Sequence, residues 1–381
     1  MNLYKETCTN KSRDFFCGIL ANLMSTNIDK IVAVVHMVPG TEEFVESIND
    51  KLPIAALIPK QSSMNLYVKK KINKKIPIMD YTRKQIIANH NQFLEELKFY
   101  VGDSNFAIID IGGYFSHILY ELYDVFGSNL IGIVEDTENG HQKYQSLLKG
   151  PYNQFPCPII SVARSNLKEP EDYLVGQAIV YSAESVLRDL GNIMTGKNAL
   201  VLGYGKIGSS IARGLKSKVG RVNVIDIDPS RQLLALAQNF QTGSKANLLS
   251  NADLIFCATG NCSISLQDIG DINNNAYIFT ATSADDEIEN HHSLINRGLP
   301  HPENNNITII KNDMKNCFLC NNGKSINFLH GGIVGPFIKP VQGELIFALA
   351  QLSYARKDQI IEIDKSSKSF IADLWIDCFH S

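Results

Sequence analysis

The sequence lacks long apolar runs: Ile31 to Val35 is strand-sized, nothing approaches the roughly 18 residues of a membrane span, and no membrane partner is expected. It also lacks an excess of positive charge. With 36 Lys+Arg against 39 Asp+Glu and a formal net charge of -3, no global field is available to hold nucleic acid, so no nucleic-acid partner is expected. The one basic run, Lys69 to Lys75, reads as a solvated loop. Met1-Asn2-Leu3-Tyr4-Lys5-Glu6 turns polar at once and precedes no apolar stretch of signal-peptide length, so secretion is not expected and a cytoplasmic location is. The eight cysteines are scattered through a chain large enough to bury a core without disulfides, so they read as reduced thiols. Cys317-Phe318-Leu319-Cys320 is a lone CxxC, and His291-His292, His301 and His330 form no ligand pattern, so no metal is expected. There is no GxSxG, HExxH or nucleophilic-cysteine motif.

What is present is 381 residues, 44% hydrophobic and 20% charged, enough for two or three domains. Short β-branched runs alternate with longer amphipathic stretches, the pattern of βαβ units, and the fold class expected is α/β with two open parallel-sheet Rossmann-like domains. Strands are predicted in the first half at Lys30 to His36, Ile54 to Ile58, Phe106 to Asp110, Leu130 to Val134 and Ile159 to Val162. Tyr114, Ile118, Leu122 and Val125 recur between them at helical spacing. A long helix follows, with Ile179, Ala183, Val186, Leu187 and Leu190 on one face and Gly191 and Gly196 as stops; it is expected to bridge the domains. The alternation then restarts at Asn198 to Leu202, Val222 to Ile225, Leu254 to Cys257, Tyr277 to Phe279 and Thr308 to Lys311. Asn273 to Asn275 and Asn304 to Asn306 read as loops.

The strongest local signal is Ala199-Leu200-Val201-Leu202-Gly203-Tyr204-Gly205-Lys206-Ile207-Gly208, an apolar strand running into a glycine-rich turn and a helix. Gly203 permits the tight turn, Gly205 lets backbone approach a pyrophosphate, and Gly208 lets helix and strand pack closely. Asp226 ends the next strand near the offset of about 20 residues at which an acid meets ribose hydroxyls. Its charge repels a 2'-phosphate, which favours NAD over NADP, although Arg231 lies five residues on.

Ligands of open α/β sheets sit beyond the carboxyl ends of the strands. The polar residues predicted there are His36, Asp110, Glu135 with Asp136 and Thr137, Thr259-Gly260-Asn261, and Thr282-Ser283. Each alone is compatible with a loop or cap; together they make a site. Lys168 and Asp172, four residues apart around Pro170, read either as a helix start with acids in its first turn or as a lysine base with a carboxylate that orients it.

These residues, in this order, resemble the S-adenosylhomocysteine hydrolase family, from about Lys30 to Leu352 and most specifically from Asp110 to Asp228. Val34-Val35-His36-Met37 is similar to the family's early strand ending in a catalytic histidine, and Ile109-Asp110-Ile111-Gly112-Gly113 to its aspartate-glycine-glycine turn. Gly132 to Thr137 is similar to its acid-rich segment. Lys168, Asp172 and Gly176 fall in register with its lysine, aspartate and glycine. Gly203-Tyr204-Gly205 and Ile227-Asp228-Pro229 match its nucleotide motifs, and Asn327 stands where a late asparagine approaches the nicotinamide.

The resemblance implies a substrate domain, placed at 1–180 with 341–381, and an NAD domain at 181–340, joined by hinge helices. It implies a redox-neutral reaction in which bound NAD transiently oxidises the 3'-hydroxyl of a nucleoside-type substrate. Lys168 would be the base, oriented by Asp172, with His36 serving the elimination half and Asp136 or Asp110 standing in for a missing carboxylate. NAD would meet Gly203, Gly205, Lys206, Ile207, Gly208, Asp226, Ile227, Arg231, Thr137, Asn139, Thr259, Gly260, Asn261, Thr282 and Asn327.

The chain also departs from the family. Ile111 replaces the second of two successive aspartates, Asp136 shortens a glutamate, and Tyr173 replaces an asparagine. Ser283 stands in place of a cofactor-side histidine, and Glu138-Asn139 replace threonines. Asp377 to Ser381 has no counterpart of the family's tail, whose lysine and tyrosine reach a neighbour's NAD, so a homodimer is expected. The reaction expected is hydrolysis, dehydration or epimerisation of a nucleoside. The alternatives are a net NAD-dependent dehydrogenase of a small hydroxy or amino acid, for which the Rossmann half alone would serve, and a non-catalytic NAD- or nucleoside-binding regulatory homologue.

Overall fold

The computed structural model describes residues 2–150, 154–282, 284–312 and 315–380. The chain divides into two compact units, residues 1–168 with 335–381, and residues 169–334.

Unit 1 is built on a five-stranded parallel sheet of β1 (Lys30–Met37), β2 (Ile54–Met64), β3 (Phe106–Asp110), β4 (Leu130–Glu135) and β5 (Ile159–Ser161), in the order β2-β1-β3-β4-β5. Strand β1 is an unbroken apolar run because both its faces are covered. Ile31, Ala33 and Val35 join one buried cluster with Phe15, Phe16, Leu345 and Leu349, while Val32 and Val34 join another with Phe93, Phe106 and Leu122. The first cluster draws on helix Asn2–Ala21, which the sequence pattern did not reveal, and on helix Lys339–Gln351. The strand order reverses between β1 and β3, and that places their carboxyl ends at the crevice where open α/β sheets take ligands.

Unit 2 carries a seven-stranded sheet of β6 (Asn198–Leu202), β7 (Arg221–Ile225), β8 (Leu254–Cys257), β9 (Ala276–Thr280), β10 (Leu299–His301), β11 (Asn304–Asn312) and β12 (Lys315–Cys320). Its order is β10-β11-β12-β9-β8-β6-β7, with β7, β6, β8, β9 and β12 parallel and an antiparallel edge of β11 and β10. Ala199 and Val201 face one core cluster and Leu200 and Leu202 the other, the same two-sided burial as in β1.

Several expectations are corrected. Asn304 to Asn306 belong to β11, since Asn304 pairs with His301 and the strand continues at Ile307 opposite Cys320, a ladder that the polar side chains conceal. Lys69 to Lys71 lie in helix Leu66–Ile72, capped by Asn65 and held by buried Val68 and Ile72; the lysines form its solvated face and pair with Asp80 and Glu42. Val125 is exposed, and helix Leu119–Phe126 instead buries Leu119, Leu122 and Phe126. The division at residue 169 precedes the boundary expected at 181 because helix Glu169–Asp189 packs on helix Lys206–Leu215 within unit 2. There Gly176 lies against Ser210, and the Ser210 hydroxyl donates to Tyr173 O at 2.6 Å.

Cys317 and Cys320 sit on opposite faces of β12, one in each core cluster, so they share no ligand position; burial pushes the Cys317 thiol up to about 12. Among the described residues no group of three or more His, Cys, Asp or Glu side chains could hold a metal ion, and no helix is long and apolar enough to cross a membrane.

Candidate functional site

In unit 1 the strand ends gather three expected residues. Asp136 follows β4 directly, and its Oδ1 accepts from Lys168 Nζ at 2.8 Å, with both residues under a tenth exposed. Lys168 ends a 3-10 turn, Asn166–Lys168, and Pro170 is the second residue of the helix that follows, where its missing N–H costs no bond. His36, half-buried at the end of β1, hydrogen-bonds through Nδ1 to Ser63 Oγ. Burial, together with the charges of Lys60 and Lys168, holds the imidazole well below its ordinary value, so it is neutral at pH 7. The Ser63 hydroxyl donates to Lys60 O at 3.3 Å. Its oxygen is then the acceptor for an Nδ1 proton, which leaves the lone pair on Nε2.

Asp110 is a correction. It is fully buried, Oδ1 accepting from Tyr114 N at 3.0 Å and Oδ2 from Phe115 N at 3.2 Å and Tyr144 Oη at 2.6 Å. The carboxylate fastens the turn after β3 and is not presented to a ligand. Ile111 packs in the apolar core. Glu135, also fully buried, accepts from Gly112 N, Gly113 N and Thr137 N, and burial beside Asp110 raises it to about 8. The Thr137 hydroxyl donates to Glu135 Oε1 and accepts from Gly140 N, capping helix Glu138–Leu147, while Asn139 Oδ1 meets Lys143 Nζ.

In unit 2 the glycine-rich turn has the geometry that its motif requires. Gly203 adopts φ 96°, and a Cβ there would lie 2.6 Å from Ala258 O; a Cβ on Gly208 would lie 2.0 Å from Gly203 O. At Gly205 the space is open, with only Arg231 Nη1 at 3.6 Å, so the backbone can be approached from outside. Asp226, at the end of β7, accepts from Tyr204 N at 2.6 Å and from Asp228 N at 2.9 Å, tying the acid to the glycine turn. Arg231 Nη1 stands 3.6 Å from Asp226, and Ile227 beside it is 96% exposed. Lys206 and Ile207 open the helix after the turn; Ile207 packs against the core, and Lys206 Nζ lies 3.7 Å from Asp172.

The other expected cofactor residues are organised by Glu287, which is fully buried. Its oxygens accept from the Thr259 hydroxyl, Gly260 N and the Thr282 hydroxyl, each at 2.7 Å, and Asn261 N donates to Thr259 Oγ1. Asn327 is buried, with Oδ1 accepting from Ser325 Oγ at 2.6 Å. Ser283 lies outside the described residues.

Sequence reasoning missed Lys60, Ser63 and Glu287. The first two could have been found as the polar end of the strand after Ile58; nothing local marks Glu287. The open space at Gly205, the close approaches at Gly203 and Gly208, and the buried Asp226 carboxylate together fit a dinucleotide.

Among solved structures, the chain is similar to phosphoglycerate oxidoreductase from Vibrio cholerae O395, at 14% identity over 66% of this chain and 75% of that one, with a TM-score of 0.37. D-lactate dehydrogenase from Escherichia coli matches at 16% identity over 66% and 73% of the two chains, with a TM-score of 0.34. The D-lactate dehydrogenase of Salmonella matches at 15% identity over 66% and 70%, with a TM-score of 0.32. Residues 179–334 match the family model of the S-adenosyl-L-homocysteine hydrolase NAD-binding domain, ending where unit 2 ends. Unit 2 is therefore an NAD-binding domain related to that of S-adenosyl-L-homocysteine hydrolase.

Proposed function

We propose that the chain is an NAD-dependent enzyme of the S-adenosylhomocysteine hydrolase type, in which unit 1 holds a nucleoside-type substrate whose 3'-hydroxyl is oxidised transiently and then restored. The observation that carries this reading is the buried Lys168–Asp136 pair at the ligand edge of the unit 1 sheet, beside a neutral His36. The Gly203 to Gly208 turn and Asp226 would hold NAD, which would supply the reversible two-electron oxidation of the alcohol carbon.

The rest falls to the protein's own groups. Lys168 reacts as the free amine, its ammonium proton having first left to solvent: Nζ takes the hydroxyl proton, and Asp136 Oδ1 at 2.8 Å orients the amine and compensates the ammonium that forms again. Ketone formation at the 3' carbon acidifies the neighbouring 4' hydrogen. The His36 Nε2 lone pair, fixed in direction by the Nδ1 bond to Ser63, takes that proton and later returns it. Asp110 and Ile111 have no part, since one fastens a turn and the other fills the core. Asp136 is then the carboxylate within unit 1 that serves the site.

Mixing NAD-loaded protein with adenosine and following the absorbance of reduced cofactor tests this. Reduced cofactor that forms on the protein and decays without reaching solution supports transient oxidation. Release of reduced cofactor in step with product would show a net dehydrogenase instead.

A further inference from the structure

Glu287 gathers donors from two adjacent strand ends of unit 2. Cys257 pairs with Thr280 across β8 and β9, so Thr259 and Thr282, each two residues further on, leave the sheet side by side at its carboxyl edge. The fully buried Glu287 carboxyl group bridges them. Its Oε2 accepts from the Thr259 hydroxyl and its Oε1 from Gly260 N and the Thr282 hydroxyl, each at 2.7 Å. The residue is anchored through its backbone as well, since Glu287 O accepts from Ile264 N and from the Ser263 hydroxyl, both at 3.0 Å.

This arrangement fixes the polarity of the two hydroxyls. A threonine hydroxyl has one proton to give and two lone pairs with which to accept. Both protons go to Glu287, so toward a ligand both hydroxyls can only accept. Thr259 Oγ1 already accepts from Asn261 N at 3.0 Å, whereas the half-buried Thr282 accepts from no other group among the described residues.

The strand order decides which part of the cofactor arrives here. In β9-β8-β6-β7 the glycine-rich turn follows β6 and Asp226 follows β7. A dinucleotide with its pyrophosphate over the turn and one ribose at Asp226 extends its other half across the ends of β8 and β9. Thr259 stands at the start of that path, its Cγ2 lying 3.1 Å from where a Cβ on Gly203 would stand. The nicotinamide half carries a carboxamide, whose NH2 group donates and whose oxygen accepts. Only the NH2 group matches a hydroxyl that can only accept.

We propose that Thr282 Oγ1 accepts from the carboxamide NH2 group of bound NAD, and that Glu287 is the positioning residue that commits this hydroxyl to accepting. Held by its NH2 group, the amide cannot turn over, and the nicotinamide ring keeps one orientation. This role lies within unit 2 and is the same whether oxidation of the substrate is transient or net.

The test sets NAD against 3-acetylpyridine adenine dinucleotide, in which a methyl ketone replaces the carboxamide, keeping the oxygen and losing the NH2 donor. The full chain is equilibrated with both at equal concentration and without substrate, and the bound cofactors are released and counted by mass spectrometry. The parent protein should hold NAD over the analogue by about three- to tenfold, the range of one neutral hydrogen bond. Thr282→Val should bring the ratio to about one, and Thr282→Ser should restore it. Glu287→Ala frees the Thr282 hydroxyl to turn its proton toward the ketone oxygen, so the ratio should fall toward one there too. Glu287→Met, which fills the space without offering an acceptor, reads the same ratio if Glu287→Ala does not fold. A merely structural Glu287 would weaken both cofactors alike and leave the ratio unchanged, and that result would overturn its positioning role. Equal holding of the two cofactors by the parent, or an undiminished preference in Thr282→Val, would overturn the contact itself.

Discussion

Lys168 Nζ stands 2.8 Å from Asp136 Oδ1, with only 9% and 12% of the two side chains exposed. One residue follows β4 and the other closes the turn after β5, so the pair exists only when both segments are folded onto the same sheet edge. Ion pairs this enclosed add little stability as pairs, yet removing one partner strands the other charge.

The Asp136→Asn variant should therefore lose stability on the order of 3 kcal/mol, and turnover should fall about 10²-fold or more as the lysine loses its orienting carboxylate. Thermal melting and single-turnover kinetics read the two effects separately. Pairing Asp136→Leu with Lys168→Met should recover part of the melting temperature and none of the activity. Wild-type turnover in Asp136→Asn would remove the residue from the mechanism.

Gly203 and Gly205, in the same turn, should behave differently. Gly203→Ala forces a side chain onto φ 96° with Ala258 O only 2.6 Å away, and a loss of about 2 kcal/mol or more is expected. Gly205→Ala meets nothing nearer than Arg231 Nη1 at 3.6 Å, so the fold should hold while NAD retention falls, by roughly tenfold, because the new methyl occupies the approach to the pyrophosphate. Melting curves with bound-NAD content per protein distinguish them; full NAD retention in Gly205→Ala would count against the turn as the phosphate cradle.

The contrast between these positions explains how much could be read in advance. The Gly203 to Gly208 turn, Asp226 and His36 were legible in position because each lies at or just beyond the end of an apolar strand, whereas Lys168, seven residues past β5, stood out only by its spacing to Asp172 and by the family resemblance. Strands β3, β6 and β8 fell where their β-branched runs predicted. Glu287 was not legible, since its three donors come from two loops that meet only in the folded unit. Lys60 and Ser63 were hidden because β2 continues to Met64 through polar residues that pattern alone reads as a loop. Asp110 carried a catalytic residue's position and a turn-holder's geometry, and sequence shows only the first.

Glu344 gives a pH dependence opposite to the usual carboxylate. It is fully buried in helix Lys339–Gln351, and burial raises it from 4.5 to about 7, offset in part by Ser165, Lys368 and Lys168. A carboxyl raised on folding contributes its full stability below about pH 4.5 and loses it as pH rises through about 7. Replacing it by Gln should leave stability at pH 5 nearly unchanged and raise it at pH 8, by on the order of 1–3 kcal/mol. Denaturant midpoints at the two pH values measure this, and a Glu344→Gln variant less stable at pH 8 than the parent would reverse the assignment.

The most direct test of transient oxidation is mass spectrometry of adenosine, and of its 5'-phosphate, after incubation with NAD-loaded protein in heavy water. Deuterium at the 4' carbon is expected, lost in Lys168→Ala and in His36→Ala, because exchange there requires both the 3' ketone and a base on the neighbouring hydrogen. Reduced cofactor forming on the protein with no deuterium entering either compound would contradict the assignment of 4'-proton transfer to His36.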